Sequence, residues 1–109
     1  MGQITEIDAA TAKEWFDAGE AHLVDVREDP ELAEAAIDGA DHVAMSTLTP
    51  ENIAERVKAP EGKKLVIFCA HGQRSYNIAG FLAQNDLVDE AFTMAGGIVS
   101  WADAGYPVK

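Results

Sequence analysis

Short apolar segments alternate along this chain with stretches that carry helix-start signals, and this alternation restricts the fold more than any other feature. The apolar segments are Gln3–Ile7, His22–Val26, His42–Ala44, Lys64–Phe68 and Glu90–Thr93. Strands separated by helices form parallel sheets, because a parallel pair needs a long crossover connection. The pattern therefore predicts one α/β domain with a mainly parallel sheet, spanning residues 1–109.

The segments between these runs contain residues that typically begin and end helices. Thr11 to Glu14 forms a possible capping box, Asp8 is a competing start, and Gly19 is a plausible stop. Asp29-Pro30-Glu31 and Thr49-Pro50-Glu51 each place a cap residue before a proline and then an acid that suits the helix dipole. We expect a helix to begin at each of these signals.

The fourth strand–helix unit is the most informative. Leu65 to Phe68 is apolar on both faces, which is typical of a central buried strand, and Ser75 to Asn85 has the pattern of a helix. The loop Cys69-Ala70-His71-Gly72-Gln73-Arg74 joins them. Ligands of open α/β sheets bind beyond the carboxyl ends of the strands, so this loop is the predicted binding site.

The residues of this loop suit covalent chemistry. Backbone N–H groups of the loop and of the helix's first turn can converge into an anion-binding cradle, for which Gly72 supplies backbone freedom and Arg74 positive charge. A cysteine in such a place ionises readily and becomes a nucleophile. The alternative for Cys69 is a small buried hydrophobe. His71 is a general acid, a substrate-orienting donor or an exposed loop residue.

Composition excludes several classes of protein. Cys69 is the single cysteine, so an internal disulfide or a pair of Cys-x-x-Cys zinc hooks is impossible, and we expect no metal or organic cofactor. A net charge of −11 disfavours nucleic acid as a partner. The longest apolar run, Leu65–Ala70, is too short to cross a membrane. With no export signal visible and a free thiol, a cytoplasmic location is expected.

The negative charge is concentrated in the first part of the chain. Residues 1–42 contain 12 of the 19 acidic side chains and 2 of the 8 basic ones. Such a bias is typical of a solvated acidic face that keeps a protein soluble, and it is also compatible with a surface for a basic partner protein.

Four motifs together resemble those of the single-domain rhodanese, or thiosulfate sulfurtransferase-like, family. The loop Cys69–Ser75 after Val66-Ile67-Phe68 is similar to that family's active-site loop. The other three stretches agree in order and spacing, and they are Leu23–Glu28, Ile37–Ala40, and Gly96–Trp101 ending in Gly105–Val108. The resemblance covers nearly the whole chain.

The resemblance implies a three-layer α/β/α fold with a five-stranded, mostly parallel sheet in the order 1-5-4-2-3. It also implies a sulfurtransferase in which Cys69 takes sulfur from a small sulfane donor such as thiosulfate, becomes a persulfide, and passes the sulfur to a thiol, cyanide or a protein acceptor. The oligomeric state is left open. The implied persulfide-binding loop consists of Ala70, His71, Gly72, Gln73, Arg74 and Ser75.

The resemblance assigns supporting roles to other residues. Asp25 and Arg27 are expected to form polar support beneath the site, or an ion pair that closes the end of a strand. Arg74 is expected to support the loop or the donor's oxygens. The pair Gly96-Gly97 and the ring of Trp101 are expected to be architectural.

One motif departs from the family pattern, and two other functions compete. Ala36 and Asp38 stand where the family usually has His and Pro, which puts any role of that turn in doubt. Phosphatases and arsenate reductases of the same fold have five residues between cysteine and arginine, whereas four separate Cys69 from Arg74 here, so the cradle is smaller. A non-enzymatic sulfur carrier or protein-recognition module is the other alternative.

Overall fold

A computed structural model describes residues 2–109 of the chain. Its strands are β1 (Gln3–Ile7), β2 (Ala21–Asp25), β3 (Asp41–His42), β4 (Lys64–Phe68) and β5 (Glu90–Met94). Its helices are α1 (Ala9–Asp17), α2 (Asp29–Glu34), α3 (Ile53–Arg56), α4 (Gln73–Gln84) and α5 (Gly97–Asp103), with a 3-10 turn at Met45–Thr47.

The five strands form one sheet in the order β1-β5-β4-β2-β3, and every neighbouring pair is parallel. This confirms the predicted α/β class and strand order. The central strand is β4, in which Ile67 lies between Val24 of β2 and Thr93 of β5. A central parallel strand is covered on both faces, which explains why Leu65 to Phe68 is apolar at every position.

Alternation along β4 divides the core into two parts. Leu65 and Ile67 point to the face covered by α3 and α4, whereas Val66 and Phe68 point to the face covered by α1 and α5. All four are buried. The layers are therefore helix, sheet and helix, and the next residue in the alternation, Cys69, belongs to the α4 side.

Local hydrogen bonds decide two helix starts: they select Asp8 of the two starts left open for α1, and they show that the start predicted at Thr49 was wrong. Helix α1 is capped by Asp8, whose Oδ1 accepts from the Thr11 N–H at 2.8 Å, so Thr11 is inside the helix. Helix α3 begins at Ile53 and not after Thr49, because Thr49 and Asn52 first exchange side-chain-to-backbone bonds in a turn of their own.

Three further boundaries differ from the prediction. Helix α4 begins two residues before Ser75, because Gly72, with φ of 107°, takes the left-handed conformation at its N-cap. Helix α2 is capped by Glu28 and not by Asp29. Strand β3 pairs only over Asp41–His42, at the edge of the sheet, and does not extend to Ala44.

The C-terminal segment closes over the turn in which the chain departs from the family pattern. Ala36 and Lys109 exchange two backbone hydrogen bonds of 3.0 and 2.8 Å, and the Lys109 ammonium pairs with Asp38. Trp101 is buried and donates its indole N–H to the Pro107 carbonyl, as its architectural role predicts. Across residues 2–109, no helix combines the length and the apolar character that a membrane crossing requires.

Candidate active site

The single thiol lies at the carboxyl end of the central strand. Cys69 follows the last residue of β4, and its side chain is only 1% exposed. Because its side chain continues the alternation of Leu65 and Ile67, Sγ points toward the face that α4 covers. The beginning of α4 is therefore directly opposite the sulfur.

Hydrogen bonds from the loop surround this sulfur. The Gly72 N–H donates to Cys69 Sγ at 3.1 Å, and the Ser75 N–H lies 3.5 Å from the same atom. The thiol is also 3.6 Å from the Ser75 hydroxyl, which in turn donates to the Gly72 carbonyl at 3.1 Å. The predicted cradle of backbone N–H groups is thus present around the cysteine.

The cradle changes the acidity of the thiol. Burial by itself raises the pKa of Cys69, since a charged sulfur loses its water. Hydrogen bonds from Ser75 and from the backbone of Gly72 and His71 outweigh that burial, so the pKa lies below the ordinary value for a cysteine. The site therefore holds a larger fraction of the nucleophilic thiolate than an ordinary cysteine would.

Backbone N–H groups at the beginning of α5 bind the first two residues of the reactive loop. The Ile98 N–H donates to the Cys69 carbonyl at 2.9 Å, and the Val99 N–H donates to the Ala70 carbonyl at 3.2 Å. This approach requires Gly97, because a Cβ there would lie 2.5 Å from the Ala70 oxygen and closer still to that of Cys69. The glycine pair at the start of α5 is thus architectural, and Gly97 allows the helix to support the reactive loop.

A cavity of about 320 Å³ opens above the sulfur. Its lining consists of Cys69, His71, Gln73, Arg74 and Asn77. Since Cys69 is almost fully buried, a reactant reaches Sγ through this cavity. His71 is exposed and has no side-chain hydrogen bond within residues 2–109, so the structure favours the exposed-residue interpretation over the other two for the free protein.

Arg74 is held by a carboxylate from a distant part of the chain. Its guanidinium makes a two-pronged ion pair with Glu31, with both N–O distances at 2.8 Å. Hydrogen bonding to Arg74 lowers the pKa of Glu31 to about 2, and the same pairing raises the pKa of Arg74. This geometry favours support of the loop as the role of Arg74.

Asp25 and Arg27 form the buried ion pair at the end of β2. Arg27 Nε and Nη2 donate to the Asp25 carboxylate at 3.0 and 2.8 Å. Arg27 is 4% exposed and Asp25 is 2% exposed. Arg27 also donates to the carbonyl of Glu31, within α2, and to that of Ala35, which follows the helix. The pair therefore stabilises the segment that presents Glu31, and neither side chain lines the cavity.

Comparison with known proteins agrees with this arrangement. Residues 8–104 match the family model of the rhodanese-like domain. The chain belongs to the rhodanese-like family. A sulfurtransferase of Allochromatium vinosum is 31% identical over 106 residues, covering 96% of this chain and 94% of the relative.

Further rhodanese-like relatives agree over the same length. The thiosulfate sulfurtransferase GlpE of Vibrio cholerae is 26% identical over all of this chain and 98% of its own. The crystal structure of a rhodanese-related protein from Thermoplasma volcanium superimposes with a TM-score of 0.75 at 31% identity, covering 96% of this chain and 97% of the other. The relatives named sulfurtransferase indicate an enzyme of that general type.

Within this rhodanese-like domain, the structure brings most of the predicted site residues together. Cys69, Gly72 and Ser75 meet at the sulfur, and His71, Gln73 and Arg74 line the cavity, while Ala70 faces α5 through its carbonyl. Across residues 2–109, no cluster of three His, Cys, Asp or Glu side chains is arranged to hold a metal ion.

Two residues of the site were missed in the sequence. Glu31 was identified only as a helix-start acid, and nothing local indicated a partner 43 residues away. Asn77 carries a weak signal, because it follows Arg74 by three residues and so lies on the same face of α4.

Proposed function

We propose that this domain takes sulfane sulfur onto Cys69 as a persulfide and passes it to a thiol, to cyanide or to a protein acceptor. The observation that carries the proposal is the position of Cys69 Sγ among backbone N–H donors at the bottom of an open cavity. Donors held in fixed positions stabilise charge on a bound anionic sulfur without having to reorganise.

The first step is attack by the Cys69 thiolate on the sulfane sulfur of thiosulfate. A bond forms between Cys69 Sγ and that sulfur, and the sulfur–sulfur bond of thiosulfate breaks. Sulfite leaves with the bonding electron pair, and the enzyme holds a persulfide anion. The lowered pKa of Cys69 supports this step, because it increases the fraction of the nucleophilic form.

The second step returns Cys69 to the thiolate. A nucleophile attacks the outer sulfur of the persulfide, the bond to Cys69 Sγ breaks, and Sγ retains the electron pair. The chain has no second cysteine that could serve as an internal acceptor. The acceptor is therefore an outside thiol, cyanide or a cysteine of another protein.

The remaining loop residues serve to hold the cradle in shape. The Arg74–Glu31 pair ties the first turn of α4 to α2, and the α5 N–H groups hold the Cys69 and Ala70 carbonyls. With its guanidinium paired, Arg74 adds little net positive charge to the cavity. The backbone dipoles therefore provide most of the anion stabilisation in this proposal.

Mass spectrometry of the intact protein tests the proposal. After incubation with thiosulfate, we expect Cys69 to gain one sulfur atom, and cyanide or a thiol to remove it. The Cys69→Ser variant is the matched control and gains nothing. No gain from thiosulfate or from another sulfane donor would overturn the proposal.

Two further outcomes identify the competing functions. Cysteine-dependent turnover of a chromogenic phosphate ester, without sulfur uptake, would favour a phosphatase or arsenate reductase of the same fold. A persulfide that forms but reaches no small nucleophile, while passing to a partner protein, would favour the sulfur carrier.

A further inference from the structure

A second concave surface adjoins the reactive cavity. It is a groove of about 310 Å³, lined by Met45, Leu48, Thr49, Pro50, Ile53, Asn77, Ile78 and Phe81. No charged side chain lines it, and six of the eight residues are apolar. A pocket of this size and composition is typical of sites that hold the apolar part of a small molecule.

The groove and the reactive cavity share a wall. Asn77 lines both, and Arg74, Asn77, Ile78 and Phe81 follow one another along a single face of α4. The seven residue-to-residue steps from Arg74 to Phe81 correspond to a helix rise of about 10 Å. An elongated molecule can thus place one end at Cys69 and its body along the groove.

Hydrogen bonds also connect the two surfaces. Glu31, which holds Arg74, accepts from the Glu28 N–H at 3.1 Å, and Glu28 accepts from the Ser46 N–H at 3.1 Å. Ser46 belongs to the 3-10 turn that also contains Met45, at one side of the groove. The orientation of the groove relative to the reactive loop is therefore held on both sides.

Charge restricts what this combined surface can bind. Arg74 is the one cationic side chain of the two linings, and Glu31 pairs with it. The protein as a whole has a net charge of −11, which repels an anionic body. Shape and charge together favour an uncharged, elongated and apolar molecule.

Resting on the proposed function, we propose that the groove is the binding site for the body of the sulfur acceptor, and that this acceptor is a thiol with an uncharged apolar chain. Its thiolate enters the reactive cavity and attacks the outer sulfur of the Cys69 persulfide. A sulfur–sulfur bond forms on the acceptor, the bond to Cys69 Sγ breaks, and the electron pair stays on Sγ. The apolar chain lies against Leu48 and Phe81.

A series of hydroxyl-terminated alkanethiols tests this assignment, because chain length changes while thiol acidity and net charge remain matched. The persulfide is prepared first and verified by mass, and its transfer to mercaptopropanol, mercaptohexanol and mercaptooctanol is then timed. We expect the second-order rate constant to rise at least about tenfold across the series, since burial of two methylenes supplies that factor.

Variants of the groove provide the controls. Leu48→Gln should slow transfer to mercaptooctanol about fivefold and leave mercaptopropanol within about twofold, as expected for the loss of apolar contact with the chain alone. Leu87→Gln, at an exposed leucine outside the groove, should change neither rate. Met45→Gln provides a second groove variant should Leu48→Gln fold poorly.

The possible failures are distinguishable. Absence of the persulfide overturns the proposed function itself. A persulfide that transfers to all three thiols at the same rate overturns the groove assignment alone. Flat rates together with faster transfer to an apolar cysteine-containing peptide would assign the groove to a polypeptide and would also overturn this proposal.

Discussion

At the scale of single residues, the acidity of Cys69 depends on two opposed influences. Burial raises the pKa of the thiol, and hydrogen bonds from Ser75, Gly72 and His71 lower it by more. Ser75 contributes both a backbone N–H and a hydroxyl, at 3.5 and 3.6 Å from the sulfur. The backbone donors belong to the fold, whereas the hydroxyl can be removed by a substitution. It accepts from the neutral thiol while donating to the Gly72 carbonyl, and rotation of its O–H lets it donate to the thiolate instead.

Ser75→Ala should therefore raise the pKa of Cys69. The hydroxyl favours the thiolate, so its loss favours the neutral thiol, and we expect the alkylation midpoint to move to higher pH. The measurement is the rate of alkylation by iodoacetamide as a function of pH, whose midpoint reports the pKa. Slower alkylation at neutral pH should accompany the shift.

Ser100→Ala is the matched control, because Ser100 has no hydrogen bond with Cys69 among the described residues. Its alkylation midpoint should equal that of the unmodified protein. A Ser75→Ala midpoint that stayed unchanged or moved to lower pH would show that the hydroxyl does not stabilise the thiolate.

At the scale of secondary-structure elements, the Glu31–Arg74 pair connects α2 to the beginning of α4. The pKa of Glu31 falls from 4.5 to about 2 in the folded protein. A carboxylate with a lowered pKa stabilises the fold fully above its unfolded pKa, and that contribution disappears as pH falls through the folded pKa. The pair should therefore lose its effect between about pH 4.5 and pH 2.

Glu31→Gln should reproduce this pH dependence in the free energy of unfolding. Both side chains are about one-third exposed, at 31% and 34%, so water weakens the pair. We expect a cost of about 1 kcal/mol at pH 7, which should approach zero near pH 2. Urea unfolding at the two pH values measures it, with Glu34→Gln on the same helix as control. A cost independent of pH would contradict the prediction.

The contact between α5 and the reactive loop gives a second prediction at this scale. Gly97→Ala should cost about 3 kcal/mol or more, because its Cβ would force the Cys69 and Ala70 carbonyls away from the α5 N–H groups. The same displacement should slow sulfur uptake at Cys69. Thermal unfolding and the rate of persulfide formation are the two measurements.

Gly105→Ala isolates the effect of backbone conformation. Gly105 also has a positive φ, of 83°, but a Cβ there meets nothing within 4 Å. We expect a loss of about 1 kcal/mol from strain and an unchanged rate of sulfur uptake. Equal losses in the two variants would show that crowding under the loop is unimportant.

The elements were more predictable from the sequence than their connections. The strands could be predicted from apolar runs such as Leu65 to Phe68, because these residues are apolar where they are buried. The order β1-β5-β4-β2-β3 came from a resemblance carried by four motifs and was confirmed. Helix starts were less predictable, because residues of the capping type recur within three positions, at Asp8 and Thr11 and again at Thr49 and Asn52, and the sequence does not show which of them caps the helix.

In the active site, too, local features were predictable from the sequence and long-range contacts were not. Cys69, Gly72 and Ser75 lie within seven consecutive residues, so the cradle was visible in the sequence. The role of Glu31 and the apolar groove were not visible, because both depend on residues brought together from distant segments. A short sequence pattern indicates the hydrogen bonds between residues that are close in the chain. Contacts between distant residues depend on how the helices and strands pack together.

At the scale of the whole molecule, net charge and size together determine how strongly an anionic sulfur donor is repelled as it approaches. The net charge is −11, and the molecule measures 35 × 28 × 21 Å. At an ionic strength of about 0.01 M the screening length is about 30 Å, comparable with the molecule itself, whereas at about 0.1 M it is about 10 Å. At low salt the thiosulfate dianion therefore experiences repulsion from the entire chain.

Thiosulfate turnover should accordingly rise with ionic strength. Because Glu31 pairs with Arg74, the local cationic charge that could offset the repulsion is small. We expect kcat/KM for thiosulfate to increase about twofold to fivefold between about 0.01 M and 0.2 M salt, since screening removes the repulsion. A neutral organic trisulfide, used as sulfane donor under the same conditions, should give a flat profile because it experiences no such field. If thiosulfate turnover were also flat, the backbone dipoles around Cys69 would control donor binding and the net charge would have no part in it.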